Sequence, residues 1–228
     1  MSNKTSRLSE SLKDSTSREK VLKKVRHALL EPSENPFAEH DVESSVYVKS
    51  TEDNDIRFAY ELVNQGAKFI YCKSPDDMLE KVKALFIENK WTEAACNEEL
   101  ISGLLKHAGV RAYPYNAGPA FNKIAVTSCE CLIARTGSIM ISSSQESGRK
   151  LPVTCDIHII IAFTSQVVDD LKQAFEFMRI KYGPRLPSMI SIITGSSRSD
   201  DIEKIMVSGG HGPKELFVFM ADEANADN

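Results

Sequence analysis

The sequence has no long apolar run and no excess of basic residues. Its 228 residues include 28 Lys and Arg against 32 Asp and Glu, which gives a formal net charge of −4. Proteins that bind nucleic acid generally need clustered Lys and Arg, so this balance argues against such a partner. No stretch approaches the ~18 apolar residues of a membrane-spanning helix, and residues 1–20 lack the apolar core of a secretion signal. We therefore expect a cytoplasmic protein that binds no nucleic acid and spans no membrane.

Cysteine is scarce, and its spacing does not fit a metal site. The five cysteines are Cys72, Cys96, Cys129, Cys131 and Cys155. An odd number without an export signal argues against a disulfide framework. The Cys129-x-Cys131 spacing is tighter than the C-x2-C of zinc and iron–sulfur sites. If 129–134 is extended, both side chains point to one face, and we expect them to be buried as small apolar groups. The sequence thus predicts no metal site and no cofactor in this chain.

The first 36 residues predict a flexible segment that contains one amphipathic helix at about 18–30. Residues 1–17 are rich in Ser, Thr, Lys and Asp. Apolar residues then recur at helical spacing until Pro32 and Pro36 end the helix. An isolated helix of this length is only marginally stable in water. Its apolar face must therefore pack either on the main domain or on a partner.

Residues 37–222 predict an α/β domain, followed by an acidic tail at 223–228. Helices are expected at 53–64, from Pro75 after a Ser74 cap, at 97–107 and after Thr164 or Ser165; strands are expected at 68–72, 110–113, 123–127, 136–142, 156–163, 189–194 and 215–220. The near-continuous apolar run at 156–163 is typical of a central strand. The alternation of helices and strands predicts a mostly parallel sheet flanked by helices.

The first candidate site is the segment Thr136-Gly137-Ser138, which follows Arg135. In open α/β sheets, ligands bind where strands end. Glycine allows a close backbone approach, so its neighbouring N–H groups and two hydroxyls would suit an anion. An ordinary turn that leads into a strand explains the same residues, and both interpretations stay open.

The second candidate site combines Arg149 with Asp156 and His158. Residues two apart on a strand face the same side, so Asp156 is expected to meet His158. A carboxylate there would orient the imidazole or raise its pKa. Isoleucines surround His158, however, which favours a core histidine as the alternative.

The third candidate site joins the turn at Gly195 and Ser196 to the segment Gly210-His211-Gly212-Pro213. A glycine-rich turn before a helix can hold phosphate. Here a capping box formed by Asp200 and Glu203 would satisfy the helix start and repel phosphate. His211 is either a functional histidine or one that fixes its own turn. The sequence has no nucleotide-binding fingerprint and neither the G-x-S-x-G nor the H-E-x-x-H motif.

Four motifs in register resemble one known family. They are Thr136-Gly137-Ser138, Arg149 with Asp156-x-His158, Thr194-Gly195-Ser196 with Ser199-x-Asp201-Ile202-Glu203, and Gly210-His211-Gly212-Pro213. Together, from about 123 to 220, they resemble the LUD domain of the lactate-utilisation protein C (LutC) family. The resemblance implies a NagB/RpiA/CoA-transferase-like fold. It also implies a role in oxidising L-lactate to pyruvate with two iron–sulfur partner proteins, without a cluster or an assigned catalytic residue in this chain.

Two positions depart from the usual family pattern. Arg135 stands where the family usually has an acidic residue, and Gly195-Ser196-Ser197 replaces Gly-Pro-Ser. Two hypotheses follow: a subunit of a lactate-oxidising complex, or a stand-alone enzyme or sensor for a phosphorylated, CoA-linked or small carboxylate ligand. Both expect the loops along one sheet to converge on a pocket. Its expected residues are Thr136, Gly137, Ser138, Arg149, Asp156, His158, Gly195, Ser196, His211 and Gly212.

Overall fold

The structure is a computed structural model that describes residues 16–30, 50–115, 123–196, 198–200, 206–208 and 212–223. The chain forms two compact units, Met1–Lys49 and Ser50–Asn228. In the first unit, helix α1 spans Ser17–Leu30, as its apolar spacing predicts. Thr16 and Glu19 begin it with a reciprocal pair of side-chain to backbone hydrogen bonds, at 2.9 and 3.3 Å. The predicted boundary near residue 36 lies outside the described residues.

The second unit alternates helices and strands from its start. Its helices are α2 (Asn54–Asn64), α3 (Pro75–Glu88), α4 (Glu99–His107), α5 (Leu151–Thr154) and α6 (Leu171–Tyr182), with 3-10 turns at Ala134–Thr136 and Thr164–Gln166. Its strands are β1 (Lys68–Cys72), β2 (Glu93–Ala95), β3 (Arg111–Tyr113), β4 (Ile124–Thr127), β5 (Cys131–Ile133), β6 (Ser138–Ser142), β7 (Ile157–Phe163), β8 (Val167–Val168), β9 (Ile190–Ile193), β10 (Arg198–Asp200), β11 (Met206–Ser208) and β12 (Glu215–Ala221). As predicted, Ser74 caps α3 by accepting a hydrogen bond from the Asp77 N–H at 3.2 Å.

Six strands form a parallel sheet in the order β1-β12-β7-β4-β2-β3. Every neighbouring pair in this sheet is parallel. Strand β7 lies inside the sheet, between β12 and β4, and Ile159 and Ile160 on it are fully buried. The predicted central strand and the predicted fold class, α/β with a mostly parallel sheet flanked by helices, are both confirmed.

A second sheet, with the order β8-β5-β6-β9, lies beside the first. Its inner side chains, such as Ile139 and Ile141 of β6, share one apolar cluster with Ile160 of the parallel sheet. Its outer side chains, such as Met140, pack on Met178 of α6. The expectation of loops along a single sheet is therefore wrong. Since β6 is buried on both faces, its sequence looks like that of a parallel-sheet strand.

Helices cover the other face of the parallel sheet. Met78 and Phe86 of α3 and Leu105 of α4 pack with Ile159 and Phe217 in one cluster. Helix α2 lies on the opposite face, in the cluster that also contains the second sheet. The unit therefore stacks helices, a parallel sheet, a mixed sheet with α2, and finally α6.

One predicted helix start is wrong. After Thr164 the chain forms the short strand β8, whose β-branched Val167 and Val168 pair with β5. Helix α6 begins only after Asp170, which accepts a hydrogen bond from the Gln173 N–H at 2.9 Å. The predicted capping box of Asp200 and Glu203 extends outside the described residues, and Asp200 itself is the last residue of β10, which pairs antiparallel with β11.

Candidate functional site

The first and third candidate segments meet at the end of α2. Gly137 has φ +58°, and a Cβ there would lie 2.2 Å from the Leu62 backbone nitrogen. Gly195 has φ +77°, and a Cβ there would lie 2.3 Å from the Gln65 carbonyl oxygen. Both positions therefore require glycine, because the chain turns sharply and presses on the helix backbone.

A row of hydroxyls connects the same two segments. The Thr136 hydroxyl donates to the Ser138 hydroxyl at 2.7 Å. The Ser138 oxygen lies 2.8 Å from the Thr194 hydroxyl oxygen. Strands β6 and β9 are antiparallel neighbours, so the start of one meets the end of the other. This pairing explains why residues 56 positions apart share a hydrogen bond.

Two cavities flank this row of hydroxyls. One, of about 410 Å³, is lined by Thr136, Ser138 and Thr194 together with Arg135. The other, of about 400 Å³, is lined by Thr194 and by three further predicted residues, Gly195, Ser196 and Gly212. The structure thus gathers Thr136, Gly137, Ser138, Gly195, Ser196 and Gly212 around one end of the second sheet.

Arg135 lies at the first of these cavities beside an acidic partner. Its Nη2 atom is 3.9 Å from a carboxylate oxygen of Asp169, and its backbone N–H donates to the Asp169 carbonyl at 2.9 Å. Asp169 also pairs with Arg57 at 3.0 Å. The positive charge that departs from the family pattern therefore shares the Asp169 carboxylate with Arg57.

The second candidate site does not assemble. Arg149 donates to the hydroxyl of Ser188, which precedes β9, whereas the hydroxyl row lies at the other end of that strand. Asp156 forms an ion pair with Lys214 at 3.0 Å, at the amino edge of the parallel sheet. The predicted contact between Asp156 and His158 is therefore wrong, because Asp156 precedes β7 and faces a different partner. His211 lies outside the described residues.

His158 is a core residue, which is the alternative that its isoleucine neighbours favoured. Its side chain is fully buried, and its Nε2 atom lies 2.9 Å from the Thr127 hydroxyl. Since that hydroxyl donates to the Ser128 carbonyl, the imidazole donates through Nε2. Burial lowers the pKa of His158 to about 4, so the ring is neutral at neutral pH.

A further crevice lies between the carboxyl ends of β2 and β4. From β2 the chain passes through α4 to β3 on one side; from β4 it passes through the second sheet to β7 on the other side. Neighbouring strands whose connections leave in opposite directions form a topological switch point, where open α/β sheets bind ligands. The crevice has a volume of about 390 Å³. Its lining residues include Glu98, Ser128, Ser144, Glu146, Lys181 and Tyr182.

A buried carboxylate supports one wall of this crevice. Glu130 is 1% exposed and accepts hydrogen bonds from the Ser142 hydroxyl at 2.5 Å and the Tyr182 hydroxyl at 2.7 Å. The Lys181 ammonium binds its other oxygen at 2.8 Å. Burial lowers the pKa of Lys181, but the hydrogen bond to Glu130, the Glu130 charge and Tyr182 together outweigh burial, and the pKa is raised. Burial and the same carboxylate raise the pKa of Tyr182. Both groups therefore keep their protons at neutral pH.

Hydrogen bonds continue from Glu130 across the crevice. The Ser142 N–H donates to the Gln145 side-chain oxygen at 2.8 Å, and the Gln145 side-chain nitrogen donates to the Ser128 hydroxyl at 3.0 Å. The Ser128 N–H then donates to a carboxylate oxygen of Glu98 at 2.9 Å. The loops after β2, β4 and β6 are thus connected through one polar network, which holds the lining groups in place.

Comparison with known proteins identifies the domain that contains these features. Residues 120–220 match the model of the LUD domain. This part of the chain is therefore similar to the LUD domain. The match includes the hydroxyl row and the Glu130 cluster, whereas the crevice wall at Glu98 lies before it. Among the described helices, none is long and apolar enough to cross a membrane.

Curated relatives of this chain carry a name that refers to lactate. "Lactate utilization protein C" of Bacillus subtilis is 34% identical over 102 residues, which are 43% of this chain and 42% of the relative. The protein of that name from Halalkalibacterium halodurans is 27% identical over 156 residues, 64% of this chain and 67% of the relative. The match to the first of these relatives thus spans about two fifths of its length.

A solved structure has the same fold. It is a DUF162 family protein from Deinococcus radiodurans, with a TM-score of 0.57 and 16% sequence identity. The match covers 76% of this chain and 99% of that chain. At this identity the likeness establishes the fold and nothing further.

The five cysteines of the chain are free thiols, and Cys129 and Cys131 belong to different packing clusters. Cys129 packs against the parallel sheet and Cys131 against α6, so the expectation that they share a face is wrong; β5 begins only at Cys131. All five are buried, which confirms the expected packing role. Burial raises the pKa of the Cys96, Cys131 and Cys155 thiols to about 12.

The crevice between β2 and β4 is the feature that the sequence motifs do not indicate. A lone carboxylate in the apolar segment Cys-Glu-Cys-Leu-Ile-Ala, at 129–134, is the available signal for Glu130. Such a group must find partners when it is buried. Its partners Lys181 and Tyr182 lie 51 and 52 positions away, so no local spacing points to them.

Proposed function

We propose that this chain acts in lactate utilisation, as a component of a system that oxidises L-lactate to pyruvate. The observation that carries the proposal is the LUD domain match at 120–220, together with 34% identity to the lactate utilization protein C of Bacillus subtilis. The fold offers a crevice at the switch point of its parallel sheet, large enough for a small metabolite.

The proposal assigns electron transfer to partner proteins that carry iron–sulfur clusters. Oxidation of lactate to pyruvate releases two electrons and two protons, so an electron acceptor is required. Cluster ligands are thiolates. The five thiols of this chain are buried, and they hold their protons because burial raises their pKa values. This donor set supports a chain that takes no cofactor of its own.

Deletion of the gene tests the proposal in the organism that encodes it. We expect the deletion strain to lose growth on L-lactate as sole carbon source and to keep growth on pyruvate. Returning the intact gene should restore growth on L-lactate. Affinity purification of the tagged full chain from lactate-grown cells should recover proteins that contain iron and acid-labile sulfide. Unimpaired growth of the deletion strain on L-lactate would refute the proposal.

A further inference from the structure

The crevice between β2 and β4 differs from the two cavities at the hydroxyl row in its unused hydrogen-bonding capacity. At the hydroxyl row, Thr136, Ser138 and Thr194 already bond one another. In the crevice, the bond to Glu130 uses one of the three N–H groups of the Lys181 ammonium, and the Lys181 side chain is 47% exposed. The crevice therefore presents a charged donor that can also bind a ligand.

The position of this ammonium is fixed by buried groups. Glu130 has a fully buried side chain, and Ser142 and Tyr182 hold its first oxygen while Lys181 binds the second. A long lysine side chain in solvent would lose conformational freedom on binding a ligand. Here the Glu130 contact has already ordered it. This arrangement suits recognition of a carboxylate by Lys181.

Another part of the crevice wall offers acceptors. Glu98 is 8% exposed, and its oxygen Oε1 accepts the Ser128 N–H, which fixes the carboxylate and leaves Oε2 for a ligand hydroxyl. Glu146 accepts the Glu99 N–H at 3.3 Å on the same wall. A ligand that carries a carboxylate and a hydroxyl group would find a partner for each.

The charge of the lining limits the ligand further. Glu98, Glu99 and Glu146 line the crevice with Lys181 as the basic residue among its described lining. Three carboxylates repel every anion, and they repel a phosphate group with up to two negative charges more strongly than a monoanion, so a nucleotide, a sugar phosphate or CoA is the more disfavoured ligand. A ligand with a single negative charge can pair with Lys181 while its hydroxyl donates to a carboxylate.

We infer that this crevice binds a small monoanionic hydroxycarboxylate, with the carboxylate on Lys181 and the hydroxyl on Glu98. The choice of L-lactate as the ligand to test rests on the proposed function, whereas the location rests on the sheet topology and the Glu130 cluster. Lys181 and Glu98 are binding residues in this inference, and Glu130 is a positioning residue.

Isothermal titration calorimetry of the full chain with L-lactate tests the inference. Propionate, which lacks the hydroxyl, should bind about tenfold more weakly or worse, and CoA and glucose 6-phosphate should not bind at this crevice. Lys181→Met should weaken L-lactate binding by about tenfold or more. The matched control is Thr136→Val at the hydroxyl row, which should bind L-lactate like the wild type.

A second variant tests the inference independently, in case Lys181→Met does not fold. Glu146 is exposed, and Glu146→Gln keeps an acceptor for the Glu99 N–H while it removes one negative charge. It should tighten L-lactate binding by about twofold or more at low salt. An unchanged or weaker affinity of Glu146→Gln would overturn the inference, as would loss of binding in Thr136→Val but not in Lys181→Met.

The two proposals fail in distinguishable ways. Growth on L-lactate that needs the gene, with no L-lactate binding to the purified chain, would overturn the crevice assignment alone. L-lactate binding that Lys181→Met abolishes, with unimpaired growth of the deletion strain, would refute the proposed function and support the crevice.

Discussion

The Nε2 atom of His158 lies 2.9 Å from the hydroxyl of Thr127, at a position in the parallel sheet where the imidazole is fully buried. Among the described residues, the other ring nitrogen has no hydrogen-bond partner. Burial lowers the pKa of His158 to about 4 because a charged imidazole would lose its hydration there. His158 and Thr127 are therefore part of the folded core, and we expect His158 to affect the pH dependence of the free energy of unfolding.

The folded state should become less stable as the pH falls below about 6.5. In the unfolded chain His158 binds a proton near pH 6.5, whereas in the folded chain it resists protonation until about pH 4. Between these values the unfolded state holds more protons, so the free energy of unfolding falls by up to about 1.4 kcal/mol per pH unit. Above pH 6.5 the contribution is complete. Urea denaturation from pH 7.5 to 4.5 measures it.

His158→Gln provides the comparison for this pH dependence. The variant should lose the His158 part of the slope between pH 6.5 and 4.5, even if it is less stable throughout. Identical slopes for the two proteins would show that His158 does not carry the effect.

Gly137→Ala should destabilise the protein more than Gly148→Ala. Both glycines have positive φ, at +58° and +65°, so both variants pay about 1 kcal/mol for the backbone conformation. A Cβ at 137 would also lie 2.2 Å from the Leu62 nitrogen, whereas one at 148 meets nothing within 4 Å. We expect a total loss of about 3 kcal/mol or more for Gly137→Ala. Chemical denaturation of both variants checks this, and equal losses would contradict it.

Glu130→Gln should lower the free energy of unfolding by about 2–3 kcal/mol. The substitution removes the charge that pairs with Lys181 and places an amide NH2 group among hydrogen-bond donors. Glu176→Gln is the control, since Glu176 is exposed on the same helix as Lys181 and should change stability by less than about 0.5 kcal/mol. Urea denaturation measures both, and similar values would show that the buried carboxylate contributes little.

The native cysteines should react slowly with a thiol reagent at pH 8. All five are buried, and burial raises the pKa of Cys72 to about 11 and of Cys96, Cys131 and Cys155 to about 12. Thiolate is the reactive form, so the folded protein should be labelled only as it opens. Labelling with a maleimide, followed by mass spectrometry, should find five reactive thiols in denaturant. Rapid labelling of a thiol in the folded protein would contradict this.

Periodic segments allowed much of the fold to be predicted. Strand β1 has the predicted bounds, and the helices α1 to α4 begin within a few residues of the predicted positions. Their patterns agree with local signals such as the Ser74 cap, so sequence and tertiary packing favour the same structure. The second sheet could not be predicted, because β5 and β6 are buried on both faces and look like parallel-sheet strands.

The candidate site could be predicted less well than the fold, because tertiary contacts decide which of its residues meet. Strand periodicity correctly places His158 on an inner face but cannot tell that Asp156 lies beyond the strand, beside Lys214. For the glycines at 137 and 195 the sequence leaves a ligand contact and an ordinary turn open, and in the structure both glycines approach the backbone of α2. Glu130 has no local partner, and only the fold brings Lys181 to it.

The turns at Gly137 and Gly195 pack against the last turn of α2, and this packing affects how the protein unfolds. Helix α2 leads directly into β1 of the parallel sheet, and Gly137 and Gly195 fasten the second sheet to its end. Neither sheet can separate from the other without breaking the contacts of these two glycines with the end of α2. The region from Ser50 onward should therefore melt in a single cooperative transition, with equal calorimetric and van't Hoff enthalpies.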